Sequence, residues 1–323
     1  MPSGSSGPLS VVLKQAGTCP TSHGPSSAEV SKGWLYFKLY TALAIGGVEY
    51  LITEMLPEVL RCSQFNPWFF LRYVDAGGPH LRLRLWCSDA DIDAVGDSVE
   101  TIARRHLRSL PSVWNSPYRA VIHAPVWQMR MQAGSARVER HVYRPETHKF
   151  GVQGMVIAER LFQASSLVAM RMLLEERSNS YSRKTLIPIL MSSVFEAFPK
   201  GADRASFWEA YAGFWLRTEE HIADRWTRLF IAKSNNLNSS GIHVLADDAI
   251  LPTGALNNVH AWRSALALAA KEYAETPDQT ERHDEALASH FIHLMNNRIG
   301  LMPLEESYFA TLLAQCAKIR HVP

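Results

Sequence analysis

The chain has 323 residues with a net charge of +2, 47% apolar and 20% charged residues. That balance excludes general disorder and gives no footing for a nucleic-acid or membrane surface. Cys19, Cys62, Cys87 and Cys316 are scattered without a CxxC pair, which argues against a zinc site or a disulfide framework and for reduced thiols.

The first 33 residues are rich in Ser, Gly, Pro and Thr and read as a flexible tail, not a signal peptide. No apolar run reaches the ~18 residues of a membrane span, so the expected location is the cytoplasm. Ordered structure is expected from Trp34 to Tyr40, a run of strand length. From Val48 to Leu60 apolar residues recur at three and four, predicting a helix with a core-facing stripe. Trp68–Val74 and His80–Trp86 flank Asp75-Ala76-Gly77-Gly78-Pro79, the chemistry of a hairpin turn, so an antiparallel pair is expected. Ser88-Asp89 opens a second helical pattern running to about Ser109, and Arg137 to Tyr143 is a further strand.

Strand, helix, strand, strand, helix, strand is the order of a split βαβ, ferredoxin-like unit. Beyond Gly151 the pattern is helical, with helices expected at 153–176, 183–198, 203–230, 254–274, 277–296 and 303–319, and a polar loop at 234–252. The fold class is therefore α+β: a ferredoxin-like antiparallel sheet over 34–150, then a mostly helical half over 151–320 packed against it, as one domain.

Three clusters stand out. Alternation places His80, Arg82, Arg84 and Trp86 on one strand face and Leu81, Leu83 and Leu85 on the other. The leucines suit a core. The other face reads either as a solvated surface with ion pairs to acids or as an anion-binding surface whose arginines fork onto carboxylate or phosphate. The second cluster is Tyr143-Arg144-Pro145-Glu146-Thr147-His148-Lys149-Phe150-Gly151, and the third runs from Ser289 to Gly300, where His293 shares a helix face with Ser289, Asn296 and Asn297. Each also reads as ordinary structure: a solvated connection, and a histidine satisfied near a helix end. No GxGxxG, GxxxxGK[ST], HExxH or GxSxG is present. Trp208, Trp215, Trp226, Met170 and Met172 read as core.

In this order the clusters resemble the C-terminal domain of class I lantibiotic dehydratases, also found as a stand-alone thiopeptide-type bacteriocin biosynthesis protein. The resemblance spans about Trp34 to Lys318 and rests on Trp34–Tyr40, Trp68–Tyr73, His80–Arg84, Tyr143-x-Pro145-Glu146 with Phe150-Gly151, and His293–Gly300 with Glu305 beyond. It implies a ribosomal-peptide maturation enzyme acting on a leader-bearing precursor. The implied reaction removes glutamate from glutamylated Ser or Thr, with Arg82 and Arg84 stabilising the developing enolate and departing carboxylate, Glu146 in the second cluster, and His293 as acid or base.

Lys149 stands where eliminating domains carry Arg, Val152 follows Gly151 in place of a second glycine, and Ala164-Ser165-Ser166 replaces a usual Asp-Ser. Those departures keep open a paralogous reaction, the aza-[4+2] cycloaddition of two dehydroalanines that forms a pyridine or piperidine macrocycle, with Tyr143 and His293 as proton-handling groups. A non-catalytic precursor-binding scaffold is the third reading. No redox cofactor or metal is implied, and neither nucleic acid nor membrane is an expected partner. The family suggests other enzymes of the pathway and a homodimer as further partners.

Overall fold

The computed structural model describes residues 33–43, 45–87, 92–122, 135–198, 201–216, 220–238, 251–276 and 284–320. The predicted tail, the Ser88-Asp89 helix start and positions 239–250 of the polar loop lie outside them. The described chain divides into two compact units, one reaching Asn115 and including 135–145, the other made of 116–122 and everything from Glu146.

The first unit contains β1 (Trp34–Tyr40), β2 (Phe65–Asp75), β3 (Gly78–Cys87) and β4 (Arg137–His141), with α1 (Ile45–Tyr50), a π-helical turn (Leu51–Met55) and α2 (Leu56–Val59) after β1, and α3 (Ile92–Arg108) after β3. The sheet order is β2-β3-β1-β4, antiparallel throughout, which is the expected split βαβ arrangement. Its hairpin works because Gly78 takes φ 102° and Gly77 N–H donates to Asp75 Oδ1 at 2.8 Å. The helix expected over 48–60 is present, but Leu51–Met55 runs as a π turn inside it.

Register decides which residues share a face. Leu81, Leu83 and Leu85 pair with Leu39, Phe37 and Leu35, forming a packed face with the leucines of β3 fully buried. Each such side chain contributes roughly 1.5–3 kcal/mol by burial. Helix α3 lies close against this face, since a Cβ on Gly96 would sit 3.1 Å from Leu35 Cδ2. The opposite face carries Trp86, Arg84, Arg82 and His80, which pair with Trp34, Tyr36, Lys38 and Tyr40.

The second unit is helical: α4 (Thr147–Phe150), α5 (Val152–Arg177), a 3-10 turn (Arg183–Thr185), α6 (Ile187–Ala197), α7 (Arg204–Leu216), α8 (Glu220–Asn238), α9 (Thr253–Ala274), α10 (Asp284–Ile299) and α11 (Pro303–Arg320). α9 and α10 pack on α5 and α6, while α11 packs along α7 and α8. Two expectations need correction: positions 234–238 of the expected loop belong to α8, and a short helix sits in the 143–151 connection. The helix expected over 203–230 is described as α7 and α8, and positions 217–219 lie outside the described residues. The helix expected over 277–296 is described from Asp284.

A buried ion pair organises this unit. Arg183 Nε donates to Glu176 Oε2, Arg183 N–H and Ser182 Oγ donate to Glu176 Oε1 at 2.9 and 3.2 Å, and Arg183 Nη1 donates to the Ile299 carbonyl at 2.6 Å. Ion pair and carbonyl together tie α5, the 3-10 turn and the end of α10.

Candidate functional site

In the helical unit the site is built on the turn between α10 and α11. Gly300, at φ 89°, ends α10, with Gly300 and Leu301 N–H both reaching the Asn296 carbonyl. Pro303 then opens α11. This short reversal puts His293 opposite Glu306. His293 Nδ1 lies 3.0 Å from Glu306 Oε1, with the histidine side chain 33% exposed and the glutamate 0%. Glu306 Oε2 accepts from the Tyr211 hydroxyl and from Asn296 Nδ2 at 3.2 Å.

With every other neighbour donating to it, Glu306 acts as acceptor toward His293, so Nδ1 carries the proton. Nε2 is left with its lone pair and makes no hydrogen bond among the described residues. The Trp215 ring lies against the imidazole, centroids 4.5 Å apart. Burial, then the Glu306 charge, pushes the Tyr211 hydroxyl well above its ordinary range, so it stays a donor. The unit thus presents an oriented imidazole with one free basic nitrogen at its exposed edge, an arrangement suited to moving a proton.

Glu146 and Lys149 are both exposed and pair with each other at 3.2 Å. His290, one turn before His293, is held below the usual imidazole range first by burial and then by the Lys149 cation, with Glu146 opposing. Glu305 does not join the His293 cluster: its Oε1 accepts the Tyr118 hydroxyl and the Val121 N–H, each at 2.8 Å. Ser166 receives Arg298 Nε at 3.0 Å.

In the sheet unit the arginine face is lined by aromatic rings. Arg84 Cζ lies 4.6 Å from the Tyr36 centroid, 5.4 Å from Phe69 and 5.3 Å from Tyr143. Tyr143 in turn packs on Trp34 at 4.7 Å. Arg82 Cζ is 3.3 Å above the Tyr73 ring, and its Nε donates to His80 Nε2 at 3.4 Å. On this face His80 is fully buried, Lys38 pairs with Asp75 at 3.4 Å, and Arg82 makes no ion pair among the described residues.

The structure therefore groups Arg84 with Tyr143 in one unit, and Glu146 with Lys149 in the other. Sequence reasoning named His293 and its helix neighbour Asn296. It did not assign Glu306, Tyr211 or His290 to the site, and it read Trp215 only as core, where the ring is partly buried against His293. The available signal was the pair of acids Glu305-Glu306 in the first turn of the next helix.

The lantibiotic biosynthesis dehydratase C-terminal family profile matches residues 34–317. The chain belongs to this family. Among solved structures it is similar to the tRNA-dependent lantibiotic dehydratase MibB from Microbispora sp. 107891, at 18% identity and TM-score 0.58, covering 94% of this chain and 29% of that one. It is also similar to the pyridine synthase TbtD of thiomuracin biosynthesis, at 19% identity and TM-score 0.67, covering 89% and 98% of the two chains. TsrL aligns at 15% identity and TM-score 0.53, over 89% and 95%. No curated protein matches. At these identities the likenesses establish a shared α+β fold, and the chain spans less than a third of the dehydratase's length. Among the described residues, no helix is long and apolar enough to cross a membrane.

Proposed function

We propose that this chain matures a ribosomally made, leader-bearing precursor peptide by eliminating glutamate from glutamylated serine or threonine. The observation that carries the reading is the His293–Glu306 contact at 3.0 Å, which leaves His293 Nε2 as an oriented base. In the proposed step Nε2 takes the α-proton, the electron pair forms the Cα–Cβ double bond, and the Cβ–O ester bond breaks with departure of the glutamate carboxylate. The products are dehydroalanine or dehydrobutyrine and free glutamate. The peptide α-proton is weakly acidic, so the step needs cationic partners for the developing negative charge. Within the sheet unit Arg82 and Arg84 are proposed as carboxylate-binding groups, and the Tyr143 ring packs on Arg84.

A second reading, the aza-[4+2] cycloaddition of two dehydroalanines, draws support from Lys149 and Trp215. Glu146 already occupies Lys149, which weakens its claim on a substrate carboxylate, and the Trp215 ring beside His293 offers an apolar wall for an alkene. In that reaction positioning supplies much of the acceleration and His293 handles the proton of dehydration.

Mass spectrometry separates the two. The purified protein is offered a leader-bearing peptide glutamylated at serine, and in a second reaction a peptide with two dehydroalanines at macrocycle spacing. Loss of glutamic acid from the first supports elimination; loss of water with the leader fragment from the second supports cycloaddition. Binding without either change supports the non-catalytic scaffold.

A further inference from the structure

The proposed reaction gives no role to His80, the buried group that opens the arginine strand. Its Nδ1 lies 3.0 Å from the Gly78 carbonyl. A carbonyl only accepts, so Nδ1 carries a proton. Arg82 Nε–H points at Nε2 from 3.4 Å, and a donor there requires Nε2 to be a lone pair. The imidazole is clamped between Tyr40 at 4.4 Å and Tyr73 at 5.5 Å. Asp75 comes within 3.8 Å of Nε2 but already accepts from Lys38, from the Tyr40 hydroxyl and from Gly77 N–H.

A neutral partner matters to Arg82. An aspartate or glutamate against Nε would cancel much of the guanidinium charge, whereas a neutral imidazole fixes one N–H and leaves the charge intact. The Tyr73 ring fixes the plane of the fork, with Cζ 3.3 Å above its centroid. The four N–H bonds on the two terminal nitrogens then remain for a planar anion.

We propose that His80 is a positioning residue which, as a neutral single-tautomer acceptor, holds Arg82 so that its terminal nitrogens receive the carboxylate of the glutamyl substrate. This deepens the elimination reading and rests on it for the identity of the ligand. The groups facing His80 are consistent with a neutral ring: burial depresses its basicity most, the Gly78 carbonyl and Asp75 oppose, and Arg82 and Lys38 reinforce. On the neighbouring strands Tyr40 and Tyr73 are the other titratable groups, with Arg137 stacked over Tyr40 at 3.5 Å.

The test uses the full chain with nitrogen-15 in arginine and histidine, titrated with N-acetylglutamate. The Arg82 Nε–H signal, identified by its loss in Arg82→Lys, should move on titration, and wild-type His80 should show the Nδ1–H tautomer at neutral pH. His80→Gln, which restores an acceptor at the Nε2 position, should bind within a few-fold of wild type. His80→Leu should weaken binding by about tenfold, the size of one neutral hydrogen bond. A charged or Nε2–H histidine in the wild type overturns the inference even if the leucine variant does not fold. So does unchanged affinity in a folded leucine variant. Binding at Arg82 without turnover of a glutamylated peptide leaves the inference standing and removes the elimination reading.

Discussion

Glu306 Oε1 meets His293 Nδ1 at 3.0 Å from a fully buried position, and this contact determines which imidazole nitrogen faces the substrate. His293→Ala should lower kcat for the proposed reaction by about 10²–10⁴-fold, the usual worth of a positioned acid or base. Glu306→Gln should lower kcat in the same direction with little change in KM, because an amide cannot accept from Tyr211, Asn296 and His293 together. Equal kcat values for wild type and Glu306→Gln would remove Glu306 from the mechanism.

Tyr211→Phe takes from Glu306 Oε2 the donor that burial keeps protonated, leaving only Asn296 at 3.2 Å. An under-satisfied buried acceptor costs ~1–3 kcal/mol. Denaturant unfolding should show a loss of that order, together with a fall in kcat as the His293 partner loosens. A variant as stable and active as wild type would refute the coupling.

The pair Arg183–Glu176 supports structure in the helical unit, at 1% and 4% side-chain exposure. Truncating one member strands a buried charge, so Arg183→Ala should destabilise by about 3–5 kcal/mol in chemical denaturation. Replacing both with apolar residues of similar volume, as in Arg183→Met with Glu176→Leu, should recover much of that loss. If the double variant is no more stable than the single, the penalty lies elsewhere.

Acid should destabilise the protein in a defined window. His80 and His290 both have folded-state affinities for protons below the ordinary imidazole value of 6.5, chiefly through burial. The unfolded chain therefore binds protons more readily, and stability falls as pH drops below about 6.5 toward the folded-state values. Burial opposes ionisation of Asp75, but Gly77 N–H and the Tyr40 hydroxyl hold its carboxyl below the usual range, so its contribution is lost only at lower pH. Tm measured between pH 7.5 and 5 should decline in wild type and decline less in His80→Gln combined with His290→Gln. A flat wild-type profile would contradict the burial of both rings.

The split βαβ order was readable because period-2 alternation and the Asp75–Pro79 turn residues are local signals, and the long helices because their stripes recur at three and four. The π turn at Leu51–Met55 leaves the apolar stripe intact, so periodicity did not show it. At the site, His293 and Asn296 were visible as one helix face. Glu306 lies past Gly300 and Pro303, and Tyr211 and Trp215 come from a helix some 80 residues earlier; such neighbours exist only once α7, α10 and α11 pack. His80 shows the same limit on the sheet. Alternation correctly put it with Arg82 and Arg84, but nothing local said that Tyr40 and Tyr73 would close over it and keep it neutral.

Glutamate elimination with His293 as the base leaves a mass signature on the peptide. Its most direct measurement is the mass of a leader-bearing, serine-glutamylated peptide incubated with wild type and with His293→Ala. Wild type should release glutamic acid and leave dehydroalanine, while His293→Ala should return the glutamylated peptide nearly intact. Unchanged peptide mass with wild type, or equal release by both proteins, would contradict it.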